Sequence, residues 1–332
     1  MSVRDLIIVG AGPSGLAAAI ESKKRGLDYQ VLEQGVLVNS IFRFPPQMVF
    51  FTTPELLEIG GLPFVSPFDK PTRVEALKYY RKVVDTYDLQ IALDEKVLSV
   101  EREDDAFAVA TRSGKGVRRV RLARNVVLAI GYYDHPNRIG VPGEDLPHVH
   151  HYYSEPHPHY RQRVVIVGGG NSAAEAALEM FRAGVHVTLV HRHPQLKSTI
   201  KYWVRPDIEN RIKEGSVVAR LGRCVREIRP TSMVIVDPND AAAPEEELPA
   251  DAVYLLTGYR ADSELMCRAG VRLNEREAPL HDPETFETNV PGLYVAGGAI
   301  AGVDTGTIFI ENGRFHGEKI VEAIARRLSA IP

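Results

Sequence analysis

One motif occurs twice in this chain, and it constrains the fold more than any other feature of the sequence. LIIVGAGPSGLAAAIESKKRG at residues 6–26 and VVIVGGGNSAAEAALEMFRAG at residues 164–184 begin 158 residues apart. Solenoid repeats recur every ~20–50 residues, so this period instead describes two copies of one domain type in a single chain. In each copy a short apolar run reads as a buried parallel strand and the glycines as a tight turn. The alanine-rich stretch then reads as a helix that stops at Gly26 or Gly184. A second strand follows each helix, at residues 29–33 and 186–191. Both segments are βαβ units, which makes the expected fold α/β with two Rossmann-like dinucleotide-binding domains.

The remaining elements can be placed around these units. Residues 73–87 have helical periodicity, while 91–100, 107–111 and 117–122 alternate like a small antiparallel insertion. NVVLAIG at 125–131 and AVYLLTG at 252–258 are apolar strands that each end in glycine, and the Pro/Gly-rich 132–147 between the copies reads as a linker. LYVAGG at 293–298 opens a last strand, turn and helix running through Arg327. The expected division is one discontinuous domain, 1–131 with 258–332, and a second domain, 132–257, inserted into it.

With 332 residues, 44% hydrophobic, the chain is long enough to bury two separate cores. Its net charge of -3, with both signs interspersed, provides no basic field for nucleic acid. The N-terminus has no signal-peptide pattern and no stretch approaches 18 apolar residues, so the expectation is a cytoplasmic chain that does not enter a membrane. Two cysteines, Cys224 and Cys267, are too few and too far apart for a disulfide framework, a CxxC pair or a zinc site. Both read as buried packing residues. The histidines at 148, 150, 151, 157 and 159 lack a carboxylate or thiol pair beside them, so no metal is expected.

Gly10, Gly12 and Gly15 form the first GxGxxG: the first for the turn, the second for close approach to a pyrophosphate, the third for helix packing. Glu33 follows Gly10 by 23 residues, where a carboxylate accepts hydrogen bonds from ribose hydroxyls. In the second copy Gly168, Gly170 and Ala173 hold the corresponding places, and the same count from Gly168 reaches His191, followed by Arg192 and His193. A cationic cluster of these residues with Lys197, in place of the carboxylate, favours a 2′-phosphate and hence NADP over NAD.

Four longer segments carry a family resemblance: NSIFRFP at 39–45, FFTTPELLEIG at 50–60, GYYDHPNRIGVPGEDLP at 131–147 and IFIENGRFHG at 308–317. On these the chain resembles the bacillithiol disulfide reductase family of thioredoxin reductase-like flavoproteins, nearly end to end. The resemblance implies an FAD domain with an inserted NADPH domain, and flavin-mediated reduction of an acceptor. It extends the FAD set from the glycine loop and Glu33 to Pro13, Ser14, Gln34, Ser40 and Val97, then to Gly131, Gly298, Ala299 and Ile310. It extends the NADPH set to Asn171, Ser172 and Gly258.

One departure concerns the chemistry. The family's proposed redox cysteine lies in the first glycine loop, and Ser14 stands there in GAGPSG. A hydroxyl cannot carry thiol–disulfide exchange, so the catalytic residue stays unassigned. Gly298 also stands where many related flavoproteins have the Asp of VAGD, though the family itself lacks that Asp. Three function classes remain open. The first is a bacillithiol-disulfide-type reductase. The others are a ferredoxin or flavodoxin NADP reductase of the same fold, and a non-enzymatic NADPH-linked redox sensor. HVHHYYSE at 148–155 is a loose match to a flavin monooxygenase fingerprint. The expected acceptor is a small-molecule disulfide or a small redox protein, and the chain is expected to form a homo-oligomer.

Overall fold

The structure is a computed structural model that describes residues 2–240 and 242–329. The outermost residues of the expected ranges, Met1 and 330–332, lie outside the described residues. The chain divides into two compact units, Met1–His135 with Tyr259–Pro332, and Pro136–Gly258.

In the discontinuous unit, β1 (Val3–Val9), β2 (Tyr29–Leu32) and β3 (Ile91–Ala92) are followed by β4 (Glu95–Glu103), β5 (Ala106–Ser113) and β6 (Arg118–Leu128). The sheet order is β3-β2-β1-β6-β5-β4, and the late strand Leu293–Val295 lies parallel to β6. β1 is central, and Leu6, Ile7 and Ile8 are fully buried. Leu6 and Ile8 pack with Leu16, Ile20, Ile320 and Ile324 on one face, and Ile7 and Val9 with Leu265, Met266 and Val271 on the other. A parallel strand covered on both faces needs such a continuous apolar run.

The structure differs from the sequence expectation at β6. Residues 117–122 and 125–131 are not two strands. Arg118–Leu128 is one strand, its first half antiparallel to β5 and its second half parallel to β1, with Val9 opposite Leu128. Ile91–Ala92 also leaves the antiparallel insertion and pairs in parallel with β2. The helix Arg73–Tyr87 starts at a capping box, in which Glu75 N–H donates to the Thr72 hydroxyl and Thr72 N–H donates to the Glu75 carboxylate.

The inserted unit repeats the pattern. Five parallel strands run in the order Val218–Leu221, His186–His191, Arg163–Val167, Ala252–Leu255, Val149–His150. Val164 and Ile166 pack with Ala173, Ala177 and Met180 of the helix Asn171–Arg182. Val165 and Val167 pack with Ile228, Met233 and Ile235 of an antiparallel three-stranded sheet. Among the described residues no helix is long and apolar enough to cross a membrane.

Candidate dinucleotide sites

The first glycine loop leaves β1 and enters the helix Pro13–Lys24. Gly10 has φ +106°, and a Cβ there would run into the Ala129 carbonyl of the neighbouring chain segment. A Cβ at Gly15 would run into the Gly10 carbonyl, so the helix crosses the loop backbone directly. Gly12 has nothing within 4 Å of its Cβ position. Open space is therefore kept in front of first-turn amides that have no acceptor within the helix. Pro13 has no N–H to lose there, and the first turn carries no acidic residue.

Glu33 is buried at the end of β2. Its Oε2 accepts from Ala11 N–H at 2.8 Å and its Oε1 from Gly35 N–H at 2.9 Å, which ties the glycine loop to the second strand. Burial pushes its pKa up, the backbone donors pull against that, and Asp134 adds to the rise. Each carboxylate oxygen keeps a further lone pair able to accept another hydrogen bond. Gln34 instead gives its amide to Asp134 at 2.8 Å, and Arg43 pairs with the same carboxylate at 2.7 Å. Ser40 is half-buried in the helix Asn39–Phe42, and Ile310 is half-buried at the start of Ile310–Gly313. The Val97 side chain is spent in the core beside Ile7, Val9 and Leu32. Gly131 turns at φ +62° after β6.

Ser14 lies on the inner side of the loop. A Cβ at Gly297 would run into its Oγ, and one at Gly313 would approach Oγ to 3.1 Å. Gly297, Gly298 and Ala299 belong to the 3-10 turn Gly297–Ala301, where Gly297 N–H donates to Nδ1 of buried His316 at 3.1 Å. The His316 ring stacks on Phe286 at 4.2 Å, and burial, with His281 and Lys319 nearby, holds its pKa down at about 4. The imidazole is thus neutral with Nδ1 as acceptor. Sequence reading missed His316 and Asp134, because neither lies within the glycine motif. The available signal for His316 was its place at the end of IFIENGRFHG.

In the second loop a Cβ at Gly168 would come within 2.5 Å of the Leu256 carbonyl and 2.9 Å of the Ala173 Cβ. Gly170 faces open space apart from Lys197 Cδ at 3.8 Å. Ala173 is buried where the first loop has its third glycine. Asn171 is used internally: its amide donates to the Thr199 carbonyl at 3.1 Å and accepts from Lys201 N–H at 2.9 Å. Ser172 is exposed, and Gly258 turns at φ +98°. Lys197 N–H donates to the Gly169 carbonyl at 2.9 Å and pins the loop carrying its exposed side chain.

His191 corrects the sequence expectation of a cation. It is only 5% exposed, its ring lies under Gly169, and burial, then His193, Lys197 and Arg192, drive its pKa down to about 4. A neutral ring here forms a wall of the turn. The exposed cations are Arg192 and Lys197, with Arg192 Nε 3.3 Å from His193 Nε2.

The cysteines also depart from expectation. Cys267 is exposed and Cys224 half-buried, so neither is a core residue. Among the histidines, His159 bonds Tyr254 at 2.8 Å and Gln162 at 2.9 Å. Among the described residues no group of three or more His, Cys, Asp or Glu side chains is placed to hold a metal.

A family profile described as "Pyridine nucleotide-disulphide oxidoreductase" matches residues 7–297. Bacilliredoxin reductase Bdr of Bacillus subtilis is 40% identical over 326 residues, 97% of this chain and 97% of the relative. The solved structure of bacillithiol disulfide reductase Bdr (YpdA) from Bacillus cereus superposes with a TM-score of 0.95 at 37% identity, covering 98% of this chain and 100% of that one. A ferredoxin–NADP reductase of Ignicoccus hospitalis is 27% identical over 301 residues, 89% of this chain and 90% of the relative. The chain belongs to the pyridine nucleotide-disulphide oxidoreductase family. It is an oxidoreductase with the thioredoxin reductase-like fold, and its cofactors are FAD and NADPH.

Proposed function

We propose that the chain reduces a bacillithiol-type disulfide, free or carried on a small bacilliredoxin-like protein, at the expense of NADPH. The observation that carries this reading is the 40% identity, over 97% of both chains, to a bacilliredoxin reductase. The residues present fit both cofactors. Gly12 and the first-turn amides of Pro13–Lys24 receive the FAD pyrophosphate, with Glu33 accepting from the adenosine ribose. Gly170 and its helix receive the NADPH pyrophosphate, with Arg192 and Lys197 on the 2′-phosphate. When bound, FAD supplies the two-electron relay between NADPH and the acceptor. NADPH and one proton are consumed, the S–S bond breaks, and two thiols and NADP leave. No protein thiol takes part: Ser14 packs inward against Gly297 and Gly313, and Cys224 and Cys267 lie outside both glycine loops. The same reading places the enzyme in the cytoplasm, where NADPH is the working reductant. We also propose that the chain associates as a homo-oligomer.

The test is anaerobic stopped-flow reduction by NADPH or NADH, followed by reoxidation with bacillithiol disulfide, a bacilliredoxin mixed disulfide or ferredoxin. The bacillithiol disulfides are expected to reoxidise the flavin, and Cys224→Ser with Cys267→Ser to leave that rate unchanged. Arg192→Ala is expected to cost about 2 kcal/mol in NADPH binding, roughly thirty-fold, and to spare NADH. Reoxidation by ferredoxin alone would overturn the disulfide reading.

A further inference from the structure

We propose that Tyr132 is a wall of the flavin site, its ring filling the place that the Asp of VAGD takes in related flavoproteins. The inference rests on the FAD reading of the discontinuous unit. β1, β6 and Leu293–Val295 are parallel neighbours, so their C-terminal ends open on one rim of the sheet, where dinucleotides bind in this class of fold. β6 exits through Gly131, whose φ of +62° turns the chain, and Tyr132 follows. Leu293–Val295 exits through Gly297 and Gly298.

The two glycines of that exit are both filled from outside. At Gly297 the volume of a Cβ is taken by Ser14. At Gly298 it is taken by Tyr132, with Cδ1 at 2.7 Å and Cε1 at 3.0 Å from the Cβ position. Real Cβ atoms do not tolerate such distances, so a side chain at 298 and this placement of Tyr132 exclude one another. Nor can the turn easily swing aside, because Gly297 N–H is held by buried His316 at 3.1 Å. The carboxylate common elsewhere is therefore not merely deleted here. An aromatic ring with a hydroxyl occupies its ground, and burial together with the Glu311 charge keeps the phenol protonated by raising its pKa. The rim presents a neutral, oxidisable ring where flavoproteins carrying the VAGD Asp present a fixed negative charge.

An oxidisable phenol in contact with an excited flavin quenches its emission by electron transfer, and a phenylalanine does not. Four proteins test the inference: wild type, Tyr132→Phe, Gly298→Asp, and the double variant Tyr132→Gly with Gly298→Asp. Each is measured for FAD bound per chain, FAD dissociation constant, melting temperature and emission of the bound flavin. Tyr132→Phe is expected to hold FAD at wild-type stoichiometry with emission raised several-fold. Gly298→Asp alone is expected to weaken FAD binding at least ten-fold and to lower the melting temperature, and removing the Tyr132 ring in the double variant should recover most of both. Unchanged emission in Tyr132→Phe, wild-type binding by Gly298→Asp, or a double variant no better than Gly298→Asp would each overturn the assignment. A Gly298→Asp chain that fails to fold leaves the emission of Tyr132→Phe to decide. A wild-type chain that takes up no FAD would instead overturn the reading of the whole site.

Discussion

Glu33 and His191 occupy the same point in two copies of one supersecondary unit, and the surroundings give them opposite tasks. Glu33 is braced by two backbone amides and remains an acceptor, whereas His191 is stripped of solvent under Gly169 and cannot be the cation its position suggested. The reason was not legible in the sequence. A histidine reads as a polar residue, and only a missing Cβ at Gly169 opens the room for the ring to turn inward. His316 is a second buried imidazole held neutral, here as the acceptor for Gly297 N–H, and it has a measurable consequence for stability. Its folded pKa of about 4 lies below the unfolded value near 6.5. The unfolded chain therefore binds the proton first. The stability is complete above pH ~6.5 and is lost as pH falls toward 4, up to about 3 kcal/mol for this one group. Denaturant unfolding at pH 7 and pH 5 should show a steeper loss in wild type than in His316→Asn, whose amide oxygen accepts without titrating. Equal slopes would mean that His316 is not held neutral.

At the level of the element, the first glycine loop separates two kinds of glycine requirement. Gly15 is needed for packing, since its Cβ would meet the Gly10 carbonyl, while a Cβ at Gly12 would meet nothing, so its requirement under the proposed FAD reading is access. Gly15→Ala should destabilise the apo-protein by roughly 1–3 kcal/mol, the range for overpacking a fixed contact. Gly12→Ala should leave apo stability within about 0.5 kcal/mol and weaken FAD binding. Thermal melts of apo-protein and FAD titrations measure both. If the two variants lost apo stability equally, the open space at Gly12 would not be a phosphate approach.

The same scale shows where the sequence was readable. The helix Arg73–Tyr87 was legible because its apolar positions keep one period, and the Thr72–Glu75 capping box that starts it is a further signal the periodicity did not need. β6 was not, because its halves obey different rules. Its first half is largely exposed and arginine-rich, and its second half is buried on both faces, so the pattern changes within one strand. The glycine loops were legible because their spacing is dictated by the turn itself. Tyr132 was not, because its role depends on a residue that is absent from position 298.

For the whole molecule, the insertion has a consequence for biosynthesis. β6 ends at Leu128, and its parallel partner Leu293–Val295 lies beyond the entire inserted unit. A growing chain therefore emerges from the ribosome with the first sheet incomplete. Residues 136–258 contain all five strands of their own parallel sheet, so that unit can close while the earlier sheet still waits for its last strand and its final helix. Stalled nascent chains of increasing length, probed by pulse proteolysis, should show protection of 136–258 before protection of 2–135. Simultaneous protection only at full length would argue against this order. Until residues 259–329 follow, the faces of β1 that pack on Leu265, Met266 and Ile320 lack their cover, so the discontinuous unit, though its synthesis starts first, is the one that keeps apolar surface open longest.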